Sequence, residues 1–508
     1  MLDQSFKPTR RAFLASTTAA GTMLMFNGLP VLAQDGGTLT VAVQGLPDSL
    51  VTGFSSFASL NIVSQMVEPL ILRDGGDKPV PGLAESWAAE DDQTWRFKLR
   101  QGVTFQDGKP FTAADVKFTI DYVIAPESLY GSKARISQIQ AVEIVDDHTI
   151  LIKTDGPFPT LVNGLSNIPI EPKHYVEEVG RDGMTAAPMG TGPFKLADWV
   201  PGDRIELTAN EAYWGGKPAV DTLVIRQVPE GSTRVATLLA REVAISEELP
   251  IDLLATVDES PDAAVVAVES TVGLLLTFDT RKPPFDDPRV REALNLAVDK
   301  QTILDRLLMG RGNLLQGQML TSSTFGFNPD LKPFPFDPAR AKELLAEAGY
   351  PDGFETSITT RSGKYLADVD ICNVCAAMFA DIGVRTTVNV VEQGVYSKMT
   401  TAMDMGPLHM VGWYSLGDAD FAAVWFTEGG KRAFWKNDEY EKLFVEARST
   451  VDEEARLASY HRMMEIMHEE APAIFLFGLP TIYGKLETLT NWEAPSDKVL
   501  RLSEAALS

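Results

Sequence analysis

The chain has 508 residues, more than one ordinary hydrophobic core accommodates, so two or more domains are expected. With 44% hydrophobic and 23% charged residues, its composition is that of a globular protein with a sizeable core, and it excludes a disordered chain. Acidic residues outnumber basic ones by 70 to 45, and the net charge of −25 opposes binding to nucleic acid or anionic lipid.

Residues 1–33 read as an export signal. Lys7, Arg10 and Arg11 make a basic start, a weakly apolar stretch follows, and Val31-Leu32-Ala33 satisfies the small-residue rule for cleavage. Thr9-Arg10-Arg11-Ala12-Phe13-Leu14 has the twin-arginine pattern; an ordinary secretory signal or an uncleaved anchor are the alternatives. Asn27-Gly28 and Pro30 make this stretch a poor membrane span, and no later segment is long and apolar enough to be one.

Beyond it, alternating Leu39, Val41 and Val43 predict a strand over 38–43, followed by a helix near 60–70. A strand is expected over 95–99, and Thr112-Ala113-Ala114-Asp115 is a capping box opening a helix over 116–123. Asp146-Asp147 between apolar runs at 141–145 and 149–154 marks a hairpin. Gly190-Thr191-Gly192-Pro193-Phe194 introduces strands at 194–199, 204–209 and 222–228, then a helix over 232–239 and a strand over 271–278. Pro288 opens a helix expected to reach about 308, Pro338 opens another ended by Gly349, and a last long helix spans about 452–469 before a strand at 473–477. Mixed elements without strict alternation point to α/β lobes and not to a barrel.

Catalytic patterns are missing. His148, His174, His409, His461 and His468 form no metal-binding spacing, and there is no nucleophile elbow or phosphate-binding loop. Gly190-Thr191-Gly192 resembles the start of a dinucleotide loop only until Pro193. Cys372 and Cys375 fall inside an expected helix, where they read as small core residues.

Five stretches carry a family resemblance. They are Val80-Pro81-Gly82-Leu83-Ala84-Glu85-Ser86-Trp87 with Gly102-Val103-Thr104-Phe105-Gln106-Asp107-Gly108; Gly190–Lys195 with Asn210-Glu211-Ala212-Tyr213-Trp214; Pro284-Phe285-Asp286-Asp287-Pro288-Arg289-Val290-Arg291; Phe336-Asp337-Pro338 through Gly349-Tyr350-Pro351; and the helix around Arg456–Glu470 with Pro472. In this order they resemble the extracytoplasmic solute-binding proteins, family 5, of the dipeptide, oligopeptide and nickel ABC importers. The resemblance implies an α/β, two-lobed periplasmic binding protein of the Venus-flytrap type with an extra subdomain in the first lobe. Lobe I would comprise residues 34–79, 185–275 and 480–508, the extra subdomain 80–184, and lobe II 276–479, with crossings near 274–280 and 474–480.

It also implies a ligand set. Peptide-binding members carry an ammonium-pairing aspartate in a Gly-Trp-x-x-Asp segment. Here Gly412-Trp413-Tyr414-Ser415-Leu416-Gly417-Asp418-Ala419-Asp420 puts Leu416 at that position, with Asp418 and Asp420 following. Arg361 stands where dipeptide-binding members grip the ligand carboxylate, Trp413, Tyr414 and Ser415 would supply the wall, and Phe54, Ser55 and Ser56 would face the cleft. The expected protein is a monomeric, periplasmic, non-enzymatic binder without a cofactor. It would deliver a short peptide or peptide-like zwitterion to an ABC membrane permease. Glutathione, an opine or a nickel chelate are alternative ligands; an exported hydrolase and a sensor subunit are alternative classes.

Overall fold

Leu39, Val41 and Val43 are buried as their alternation requires and build the strand Thr38–Val43. It lies parallel to Thr222–Gln227 on one side and Ile245–Glu247 on the other. In this computed structural model the described residues are 37–47, 49–50, 57–75, 77–128, 130–428, 430 and 434–508. Residues 1–33, expected to be an export signal, and Phe54, Ser55 and Ser56 lie outside them.

The main sheet runs Arg385–Val391, Glu355–Arg361, Leu408–Tyr414, Ala263–Phe278, Ala473–Leu486, Ile245–Glu247, Thr38–Val43, Thr222–Gln227, Arg204–Ala209, Phe194–Val200. Ala263–Phe278 and Ala473–Leu486 are antiparallel partners that pass from one hydrophobic core to another. Ala263 and Ile482 pack with Leu39, Val41 and Ile225, whereas Leu274 and Ile474 pack with Val290, Leu294 and Ile358. Both strands are longer than predicted. The second runs through Pro480, which pairs with Glu269 where the register shifts between Glu269 and Gly273. A residue without an N–H is tolerated at such an irregularity.

A separate antiparallel sheet, Ala84–Asp91, Thr94–Leu99, Thr149–Thr154 and Ile139–Asp146, packs on the helix Ala113–Ile124 around Phe97, Val116, Ile120 and Ile150. Asp115 accepts the Thr112 N–H at 3.0 Å, as the capping box predicts. The helix expected over 288–308 is two helices, Pro288–Leu296 and Lys300–Arg306. Asp299 breaks it by accepting the Thr302 N–H at 3.0 Å, capping the second helix. Cys372 and Cys375 are free, buried core residues, and desolvation pushes the Cys375 thiol up to about 12.

The Gly190–Gly192 motif serves packing and not phosphate binding. Gly192 donates to the Met66 carbonyl at 2.9 Å, and a Cβ on Gly192 would lie 2.6 Å from the Met66 carbonyl carbon. Because the obstructing atoms are backbone, Gly192→Ala is expected to cost about 1–3 kcal/mol, read as a lower midpoint in urea unfolding with an unchanged slope.

Candidate functional site

Between the first and second cores lies a cavity of about 1630 Å³, larger than the roughly 300–1,000 Å³ of common small-molecule sites. The parallel strands Thr38–Val43 and Ile245–Glu247 end on it, so Gln44, Gly45, Glu247 and Glu248 open from their carboxyl ends. That is where open α/β sheets hold ligands. Lys364, Tyr365, Tyr414 and Leu416 face it from the second half, and the C-terminal segment adds Trp492, Asp497, Lys498 and Arg501.

Backbone strain concentrates here. Of ten non-glycine residues with positive φ among the described residues, six line this cavity: Asp77, Glu248, Ala367, Leu416, Asn491 and Lys498. Each such conformation costs about 1–3 kcal/mol and persists only where the surroundings impose it.

Charges of both signs meet in the cavity. Lys498 Nζ donates to Glu248 Oε1 at 3.0 Å and also bonds the Tyr414 hydroxyl, linking the two sides. Burial acts to raise the Glu248 pKa, but Lys498 and Arg234 more than offset it and hold it below the usual glutamate range. Glu247 is different: burial, reinforced by the neighbouring Glu248, raises it to about 8. Arg135 has no carboxylate partner among the described residues, and desolvation, with repulsion from Arg73, lowers it to about 10. Desolvation likewise lowers Lys364, helped by Arg361 and Lys498.

A tether closes one end of the cavity. The Leu416 carbonyl accepts from Arg73 Nη1 at 2.7 Å and from Asn163 Nδ2 at 3.1 Å. Arg73 is fixed by Asp77 Oδ1 at 2.6 Å and Ser166 Oγ at 2.8 Å. Gly417 permits the approach, since a Cβ there would lie 2.6 Å from the Asp77 carbonyl oxygen.

Of the sequence-predicted ligand residues in the described part, Tyr414 lines the cavity and the others do not. Asp418 is buried against Arg456, with both oxygens within 3.0 Å of Nη2. Asp420 is held by Arg448 at 2.5 and 2.7 Å. Ser415 Oγ bonds Thr324 Oγ1 at 2.7 Å, and Trp413 stacks on Trp425 at 5.1 Å. Arg361 lies over the Tyr396 ring and donates to Gln393 Oε1 and the Tyr365 hydroxyl, both at 3.1 Å. It therefore positions Tyr365, whose oxygen also accepts the Gly412 N–H at 2.8 Å. Sequence reasoning missed Arg73, Arg135, Glu247, Glu248, Lys364 and Lys498. One signal was available: the acidic pair Glu247-Glu248 closely follows the apolar run Val243-Ala244-Ile245, whose strand is parallel to the first one and ends at the edge where ligands bind.

Among the described residues, no group of three or more His, Cys, Asp or Glu is arranged to hold a metal ion, and no helix is long and apolar enough to cross a membrane. None of the five histidines lines the cavity. His461 Nε2 pairs with the Phe327 carbonyl at 3.0 Å, and His468 stacks on Phe334.

Two lobes joined by a pair of long crossing strands, with a cavity between them, define a binding protein of the Venus-flytrap class. The comparisons agree. The chain belongs to the bacterial extracellular solute-binding proteins, family 5, whose model matches residues 78–432. It is 30% identical to heme-binding protein A of Haemophilus influenzae over 463 residues, covering 84% of each chain. It is 27% identical to the glutathione-binding protein GsiB of Pectobacterium atrosepticum, covering 96% of this chain and 98% of that one. The ABC transporter-associated periplasmic binding protein DppA of Helicobacter pylori, in complex with the peptide STSA, superposes with a TM-score of 0.78 at 26% identity, covering 94% and 99%.

Proposed function

We propose that this protein is the periplasmic, non-enzymatic binding component of an ABC importer. It captures a short peptide or peptide-like zwitterion between its lobes and delivers it to the membrane permease. The observation that carries this reading is the interlobe cavity, in which the Arg135 guanidinium, without a carboxylate partner among the described residues, carboxyl groups and the rings of Tyr365, Tyr414 and Trp492 surround one space. A zwitterion satisfies both signs of charge at once, whereas burying either sign alone is costly. Relatives named for glutathione and crystallised with a peptide support that ligand class. We assign lobe I to residues 34–79, 185–275 and 480–508, its extra subdomain to 80–184, and lobe II to 276–479; the separate hydrophobic cores support this division in outline, with Leu70 and Ile71 packing in the core of the subdomain, Val176 and Met184 in that of lobe I, and Val272 and Leu274 in that of lobe II.

Thermal-shift screening tests the reading with tri- and tetrapeptides, glutathione, opines, nickel–histidine and haem. Selective binding to the folded state raises the melting temperature. A rise with peptides, glutathione or opines, recovered unchanged, is expected. Stabilisation by the metal complexes alone, or consumption of the compounds, overturns it.

A further inference from the structure

In the segment Trp413–Asp420 the Leu416 carbonyl, which lies against the cavity, is taken by Arg73 and Asn163. The nearby Asp418 and Asp420 are taken by arginines. A ligand ammonium needs another acceptor, and the opposite wall of the cavity offers one.

Glu247 is half-buried in the cavity wall at the end of its strand, and its two oxygens differ. Oε1 accepts from Asn61 Nδ2 at 3.1 Å. The Asn61 amide cannot turn around, because its Oδ1 accepts the Leu500 N–H at 2.9 Å. Oε2 has no protein partner among the described residues. Arg234 does not neutralise the carboxyl directly: its guanidinium donates to the carbonyls of Val228, Pro229, Glu247 and Glu248 at 2.7–2.9 Å. Those bonds fix the backbone of the Glu pair, including Glu248 at φ 50°. Glu248 is itself occupied by Lys498.

We propose that Glu247 Oε2 is the acceptor for a ligand ammonium group, and that Glu247 releases a proton to solvent when that group arrives. This rests on the zwitterion reading above. With Asn61 donating to Oε1, the proton of the uncharged acid resides on Oε2. An incoming ammonium then forms an ammonium–carboxylate pair, and one proton leaves to the buffer. The charged or titratable neighbours are Glu248, Lys498, Arg234 and Tyr483. Burial and Glu248 favour the protonated acid, whereas Lys498 and Arg234 oppose it.

The test uses the full chain and its Glu247→Gln variant, with trialanine, N-acetyl-trialanine and glutathione as probes, by calorimetry at pH 7 in buffers of different ionisation enthalpy. For the wild type, acetylation is expected to weaken binding roughly tenfold to a hundredfold, with close to one proton released per amine bound. Glu247→Gln is expected to lose both the discrimination and the release. Equal binding of trialanine and its acetylated form overturns this assignment while leaving the zwitterion reading intact. Failure of both free amines to bind the wild type overturns this assignment, and the zwitterion reading falls with it when opines fail to bind as well. A ligand-free readout is independent. With the folded value at about 8 against 4.5, the folded state holds an extra proton in that window, so Glu247 makes stability fall as pH rises through it. Glu247→Gln is expected to flatten the melting temperature between pH 5 and pH 9, and identical profiles overturn the proposal.

Discussion

Replacing Arg456 with alanine is expected to lower stability by about 3–5 kcal/mol. Both members of its ion pair with Asp418 have side chains only 5% exposed, so the variant strands a carboxylate in the core. Burial acts against the Arg456 charge, but Asp418 and Tyr460 more than offset it, holding the guanidinium protonated. Asp418→Ala is expected to cost a similar amount, because it strands the opposite charge. The two losses are not additive: the Asp418→Leu, Arg456→Met double variant, which removes both charges at similar volume, is expected to be markedly more stable than either single variant. Urea unfolding of the four proteins checks this. Equal stability of Arg456→Ala and wild type would show that the pair is not buried as described. Asp418 belongs to the segment that sequence reasoning assigned to the ligand, so an intact ligand affinity in the folded double variant would also separate packing from binding there.

Arg73→Ala is expected to act on both stability and function. Asp77, with a side chain 2% exposed, would lose its cation, a cost of about 3 kcal/mol. The Leu416 carbonyl would lose one of its two tethers across the cavity. A binding-competent state that is less populated lowers apparent affinity in proportion, so ligand affinity is expected to fall roughly tenfold. Asn163→Ala isolates the tether, since it removes one hydrogen bond worth about 1 kcal/mol and leaves the Arg73–Asp77 pair in place. It is expected to reduce affinity severalfold with little change in melting temperature. If Asn163→Ala leaves binding unchanged for every ligand, the contact does not hold the lobes together.

The fold was legible wherever the signal is local. The strand at 38–43, the Thr112–Asp115 capping box, the hairpin at Asp146-Asp147 and the proline-led helices all form near the places the sequence marks. The two crossing strands were cut to their most apolar runs, 271–278 and 473–477, because the 269–273 irregularity and Gly478 through Pro480 interrupt the pattern within strands that change cores midway. The break before Lys300 was hidden because Asp299 can sit on a helix surface as readily as it can cap one. The site was less legible, because its parts are far apart in the chain. Arg73 meets Leu416 across 343 positions, and Glu248 meets Lys498 across 250. No spacing rule links such residues. Charged side chains in the Trp413–Asp420 segment drew attention by type, but Arg448 and Arg456, supplied by helices later in the chain, turn both aspartates inward. Arg361 was the conspicuous cation of its stretch, yet Lys364, three residues on, is the one that reaches the cavity.

The most direct test of the central claim is native mass spectrometry of the protein purified from its own host, with any released small molecule identified. The account predicts one zwitterionic, amino-acid-derived molecule per chain, recovered chemically unchanged after incubation with fresh protein. A chain that carries no such molecule and converts members of this class to products would contradict it.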